Sequence, residues 1–165
     1  MKKTIGICTF LLFTFSGFTQ VVDTAAVVQE VDSLIKGAKV FYNKKQYKEM
    51  LKIVENALQL TVENIGKENE IYIRNLNYLA VAQKSLKEYE EAGKVYLECI
   101  NLGRRALEKP NKDYANCLQN LANLYMDINR KSEAESLYIE ARDVRRNIFG
   151  DNHEEYAKSL SSIGY

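Results

Sequence analysis

Histidine and proline are nearly missing from this chain: His153 and Pro110 are the only ones in 165 residues. With no Cys or His at ligand spacing from His153, the common zinc arrangements and His-based nucleophile pairs are excluded. One proline leaves long stretches free to run as helix. An excess of either charge is lacking too. There are 23 basic and 22 acidic residues, which gives no electrostatic footprint for nucleic acid. Without Lys2 and Lys3 the balance is 21 against 22, a net charge near −1. No Gly-rich phosphate loop, metal-ligand cluster or nucleophile–base arrangement occurs. Ser33-Leu34-Ile35-Lys36 has an S-x-x-K spacing, but the S-D-N and K-T-G companions and any α/β pattern are absent. The chain therefore reads as non-enzymatic, with no cofactor and no metal.

What the chain does have is internal repetition. Ala38, Ala80, Ala122 and Gly164 stand 42 residues apart, as do Leu34, Leu76, Leu118 and Leu160. Tyr72, Tyr114 and Tyr156 form a third series, Met50, Ala92 and Ala134 a fourth, and Val54, Tyr96 and Tyr138 a fifth. Ala57, Cys99 and Ala141 form a sixth. A fixed period of this length is the mark of stacked supersecondary units.

Inside one unit the spacing is helical. Leu118, Leu121, Ala122 and Tyr125 share one helix face, and Ala134, Leu137, Tyr138 and Ala141 share another. Small residues let two helices approach while tyrosines fill the space beside the contact. Expected helices run from Asp23 or Asp32 to Asn43, then over Tyr47–Leu60, Glu70–Leu86, Tyr89–Leu107, the two within Lys112–Phe149, and a last one from His153. Ser132 with Glu135, and Asn152 with Glu155, fit capping boxes. Lys109-Pro110 ends a helix. Gly93 and Gly103 each cost a helix about 1 kcal/mol relative to Ala; close helix approach accounts for Gly93, and nothing in the sequence accounts for Gly103. Arg104, Arg105, Arg142, Arg145 and Arg146 read as a solvated face, with acidic neighbours close by.

The series Ala122, Tyr125, Ala134, Tyr138, Ala141 resembles the tetratricopeptide repeat. The 42-residue period, longer than the usual ~34, and the linker Phe149-Gly150-Asp151-Asn152-His153 resemble the kinesin-light-chain-like subtype. Ile65-Gly66-Lys67-Glu68-Asn69 matches that linker in part; Leu107-Glu108-Lys109-Pro110-Asn111 departs from it at Glu108. His153 thereby takes a turn role. The resemblance covers residues 32–165, as repeats 32–66, 67–108, 109–150 and a partial 151–165, after a lead-in over 21–31. It implies an all-α fold, a right-handed α-solenoid of antiparallel helix pairs. It also implies a concave groove lined by the first helix of each pair. Outward residues there are Lys36, Lys39, Arg74, Asn77, Tyr78, Val81, Asn116, Gln119, Asn120, Asn123, Met126, Lys158 and Ser161. Asn and Gln offer both donor and acceptor to an extended peptide backbone. Asn77 and Gln119 stand where the family's carboxylate clamp has Lys, which argues against a chaperone-tail ligand. The expected role is a scaffold that binds protein or extended peptide. The alternative is a sensor or regulatory region preceding a catalytic domain, of CHAT-protease or histidine-kinase type; the final repeat stops in mid-helix, which suits it.

Residues 1–20 read as a signal peptide. Lys2 and Lys3 precede an apolar run, Ile5–Phe18, too short for a comfortable span, with Gly17 and Thr19 before a cut near Gln20. An uncleaved anchor is the alternative, and only then is the membrane a partner. Cys8 lies inside the apolar run, unlike a lipid-modified cysteine. Export, periplasmic or secreted, is expected. Cys99 then acts as a small packed hydrophobe. A bridge to Cys117 is chemically possible outside the cytosol, although two helical cysteines rarely meet the distance requirement.

Overall fold

The structure is a computed structural model and describes residues 23–106 and 111–163. Expectations about the signal segment, the Lys109-Pro110 stop, Gly164 and Tyr165 lie outside those residues. Among the described residues seven helices follow one another: α1 (Thr24–Asn43), α2 (Tyr47–Asn64), α3 (Glu70–Ser85), α4 (Tyr89–Ala106), α5 (Lys112–Asp127), α6 (Lys131–Phe149) and α7 (Glu154–Ile163). There is no strand among the described residues. Consecutive helices pack as antiparallel pairs, so the fold is an all-α solenoid of helical repeats.

Helix α1 starts at the earlier of its two candidate caps. The Asp23 carboxylate accepts from the Ala25 and Ala26 amides, so the lead-in from Thr24 is already helix. Asn69 and Asn111 cap α3 and α5, their side chains accepting from the Tyr72 and Tyr114 amides at 2.9 Å. The third member of that 42-residue series is His153. Its Nδ1 accepts from the Glu155 amide at 3.1 Å, so His153 rather than Asn152 caps α7. The Phe149 ring stacks on it, centroids 4.5 Å apart. Ser132 does not cap α6. That helix begins two residues earlier than a Ser132 cap would place it, at Lys131 behind Arg130, which pairs with Glu133.

The turn within each pair is also periodic. Lys45, Lys87 and Asn129 all take positive φ, at 58°, 67° and 64°. The residue after each donates its amide back across the turn, to the Phe41, Gln83 and Tyr125 carbonyls. This left-handed residue with a 6→1 bond satisfies the last carbonyls of the first helix. Gly66 and Gly150, at φ 96° and 82°, serve the turns between repeats, where a side chain would be strained.

The core is a continuous strip. Tyr72, Leu76, Tyr96, Ile100, Tyr114, Leu118 and Leu121 lie in one cluster, with Val31, Ile35, Met50 and Val54 in another at the N-terminal end. Ala122, Ala134 and Tyr138 form a third. The register of small and aromatic residues is thus the packing register.

Cys99 and Cys117 form a disulfide, with Cα atoms 6.4 Å apart. This corrects the reading of Cys99 as a packed thiol. The reason lies in the repeat. Ala57 and Asn75, Cys99 and Cys117, and Ala141 and Ser159 are one pair of positions at successive junctions, where the second helix of a repeat meets the first helix of the next. Asn75 Nδ2 donates to the Ala57 carbonyl at 3.4 Å and to Thr61 Oγ1 at 2.9 Å. A bridge fits where the fold already brings these positions together.

Tyr96 shows what happens when one member of a series loses its partner. Its counterpart Tyr138 donates its hydroxyl to Asn123 Oδ1 at 2.7 Å. Val81 stands where Asn123 stands one repeat on, so the buried Tyr96 hydroxyl has no partner. Burial also pushes its pKa up. Tyr96→Phe is expected to stabilise the chain by about 1 kcal/mol, because it removes an unsatisfied buried donor. Thermal unfolding checks this; a lower melting temperature would show that the hydroxyl is satisfied in solution.

Candidate binding groove

Curvature follows from which helices touch. Helix α1 packs on α3 and α3 on α5, whereas the backbones of α2, α4 and α6 stay apart. The first helices therefore line the inner face.

Two periodic columns run along that face. Asp32, Arg74, Asn116 and Lys158 make the first. Arg74 is ion-paired with Asp32 on α1, the neighbouring inner helix. Sequence reading missed Asp32, although its 42-residue spacing from Arg74 was a usable signal. Asp113 also faces this column. Burial raises its pKa, against the pull of Arg74, Lys112 and Lys39. The second column holds Lys36, Tyr78 and Asn120. The Lys39 ammonium lies 5.4 Å from the Tyr78 ring centroid, a cation–π distance.

The amides are less available than the sequence suggested. Asn77 is 7% exposed, and its Oδ1 accepts from Asn120 Nδ2 at 2.9 Å. It is a strut between α3 and α5, not an outward residue. Asn123 accepts from the Tyr138 hydroxyl and, at 3.5 Å, from Gln119. Asn116 and Gln119 are half-buried and accept from Arg145 at 3.2 and 3.0 Å.

Arg145 is the main departure from the solvated basic face. It is 6% exposed and points between α5 and α7, where Glu155 lies 3.8 Å from its Nε. Burial lowers its pKa, with Glu155 opposing. Its register partners are Thr61 and Gly103, so it belongs to an inward column. Glu155 also faces Lys112 and Lys158, at 3.9 and 3.8 Å. The ammonium of Lys158 lies 2.8 Å from Glu154.

What stays outward is Lys36, Lys39, Met126 and Ser161, with part of Tyr78, Val81 and Asn120. This is an aromatic–apolar strip with amide and ammonium groups beside it. Among the described residues, no group of three or more His, Cys, Asp and Glu is placed to hold a metal ion. No described helix is long and apolar enough to cross a membrane.

Known proteins fit this geometry. Residues 115–155 match the tetratricopeptide repeat family model. No curated protein matches. Among solved structures, a Podosopora anserina putative kinesin light chain with nearly identical TPR-like repeats superposes with a TM-score of 0.72 at 15% identity, over 81% of this chain and 64% of that one. BtubC (BKLC) from P. vanneervenii gives 0.70 at 20%, over 81% and 54%. The Yersinia enterocolitica type III secretion translocator chaperone SycD gives 0.61 at 14%, over 82% and 89%. The chain thus spans less than two thirds of the first two of these structures, and at these identities the likeness is one of fold. A matched repeat at 115–155, a 42-residue period over the seven described helices and this superposition give the chain the fold of a tetratricopeptide-repeat solenoid.

Proposed function

We propose that this chain is an exported, non-catalytic scaffold whose inner face holds an extended segment of another protein. The observation that carries this reading is the strip Lys39, Tyr78, Asn120 and Met126. It offers a half-buried aromatic ring, an amide and an exposed thioether along one face, a combination that suits main-chain and apolar contacts together. The similarity to a secretion translocator chaperone and to kinesin light chains agrees with a protein as partner. Near-balanced charge argues against nucleic acid. Export is supported by the N-terminal segment and by the Cys99–Cys117 bridge, since structural disulfides persist in oxidising compartments.

Selection of a random peptide library against the full chain tests the groove. Selected peptides should lose about tenfold in affinity to Tyr78→Ala, the size of effect of an aromatic contact. They should bind Lys94→Ala, on the outer face, unchanged. Peptides indifferent to Tyr78→Ala would remove the inner face as the site. Tyr78 is the right choice because Asn120 and Asn123 also hold Asn77 and Tyr138, so replacing them disturbs the fold as well.

A further inference from the structure

The outer helices stand apart, so a cleft lies between each neighbouring pair, floored by the inner helix between them. The two such clefts among the described residues are built from matching positions and differ at one decisive residue. Between α4 and α6, Arg104 crosses the cleft. Its Nη2 donates to Glu140 Oε2 at 2.6 Å and its Nε to Glu140 Oε1 at 3.2 Å. Tyr114 completes the arrangement, its hydroxyl donating to Glu140 Oε1 at 2.5 Å. Between α2 and α4 the same acceptor pair recurs 42 residues earlier as Glu98 and Tyr72, with the tyrosine hydroxyl 3.1 Å from Glu98 Oε1. Where Arg104 would have its counterpart, the chain has Val62.

The consequence is an open slot. Leu58, Val62, Leu76, Leu79 and Val95 line a cleft of about 340 Å³, with Tyr72 and Glu98 at its edge. That volume is at the small end of ligand-holding clefts. Burial shows the same contrast. Ile100 and Leu121 are 2% and 0% exposed under Arg104, while the matching Leu58 and Leu79 are only partly buried. Glu63 and Lys67 are the other charged groups on the rim. Glu63 accepts from Gln59, and Lys67 forms no ion pair among the described residues. The rim as a whole is net acidic.

We propose that the cleft between α2 and α4 is a docking site for an arginine side chain of a protein partner, carried next to an aliphatic residue. The guanidinium takes toward Glu98 and Tyr72 the place that Arg104 takes toward Glu140 and Tyr114. The aliphatic neighbour fills the slot over Leu76 and Leu79. Arginine rather than lysine fits because the template contact is a two-nitrogen fork on a carboxylate. This site lies on the outer face and does not depend on the inner-face reading.

The test is titration of the full chain, followed by amide NMR, with the blocked peptide Ac-Leu-Arg-Leu-NH2 and its isosteric citrulline analogue. Shifts are expected at Val62, Tyr72, Leu79, Val95 and Glu98. Citrulline should bind about tenfold more weakly, as should the arginine peptide to Glu98→Gln, since each removes a charge-assisted hydrogen bond. In Glu98→Gln the two peptides should become alike. Val62→Arg should block binding by supplying the missing fork from within the chain. Equal affinity for arginine and citrulline, or shifts confined to Tyr78 and Asn120, or binding unaffected by Val62→Arg would each overturn the proposal.

Discussion

Replacing Cys99 by Ala and Cys117 by Ser is expected to cost the chain about 3 kcal/mol of folding free energy. The two residues are 18 apart in sequence, and cross-linking a loop of that length removes about this much entropy from the unfolded state. The variant is chosen from the chain's own third junction, where Ala141 and Ser159 stand at the same two positions and are buried. Packing is therefore kept nearly constant while the bond is removed. For a chain of this size the melting temperature should fall by roughly 6–12 °C. Reductant should lower the wild type to the variant's value and leave the variant unchanged. Two thiols that alkylate in unreduced wild-type protein would contradict the bridge itself. The loss should also fall unevenly. The bridge couples the second repeat to the third, and a solenoid is held only by such neighbour contacts. Amide exchange should accelerate more in α5 and α6 than in α2.

The helices were legible because their signal is redundant. Each inward position appears three or four times, so one ambiguous residue cannot move the register. Helix ends were less legible where the capping rule competes with periodicity. Asn152 satisfies the capping-box pattern, but the cap series is Asn69, Asn111, His153, and position in the repeat decided the outcome. The groove was half legible. Which helices line the inner face follows from the repeat resemblance, but exposure along that face does not. Whether Asn77 points outward depends on how closely α5 approaches α3, and no local pattern encodes that distance. Arg145 was misjudged for the same reason. Its charge suggests solvent, but its column, Thr61 and Gly103, faces inward, and amides on α5 plus Glu155 on α7 make burial of a guanidinium tolerable.

Two glycines of α4 should respond in opposite directions to the same substitution. Gly93→Ala is expected to stabilise by about 1 kcal/mol, the helix-propensity difference. A methyl there meets only Leu124 Cδ2 at 3.6 Å, an ordinary contact, so close approach does not require this glycine. Gly103 is the one that geometry demands. A Cβ on it would lie 2.3 Å from Tyr114 Cδ2 and 3.0 Å from Cγ and Cε2. The ring cannot yield cheaply. It is 3% exposed, and its hydroxyl is held by Glu140 and Arg104. Burial and the Glu140 contact raise its pKa to about 12, with Arg104 opposing. Displacing it costs about 1–3 kcal/mol of overpacking and about 1 kcal/mol of hydrogen bonding, so Gly103→Ala should lose about 2 kcal/mol net of its propensity gain. One repeat earlier the glycine's position is held by Thr61, whose hydroxyl donates to the Ala57 carbonyl and accepts from Asn75. Denaturant unfolding of both variants measures the gap, about 3 kcal/mol between them. In a Tyr114→Leu background the penalty at Gly103 should vanish and the alanine should become neutral or favourable, because the coupling resides in the ring. Equal responses of the two glycines, or a Gly103→Ala penalty that survives Tyr114→Leu, would mean that the ring does not rest on this glycine.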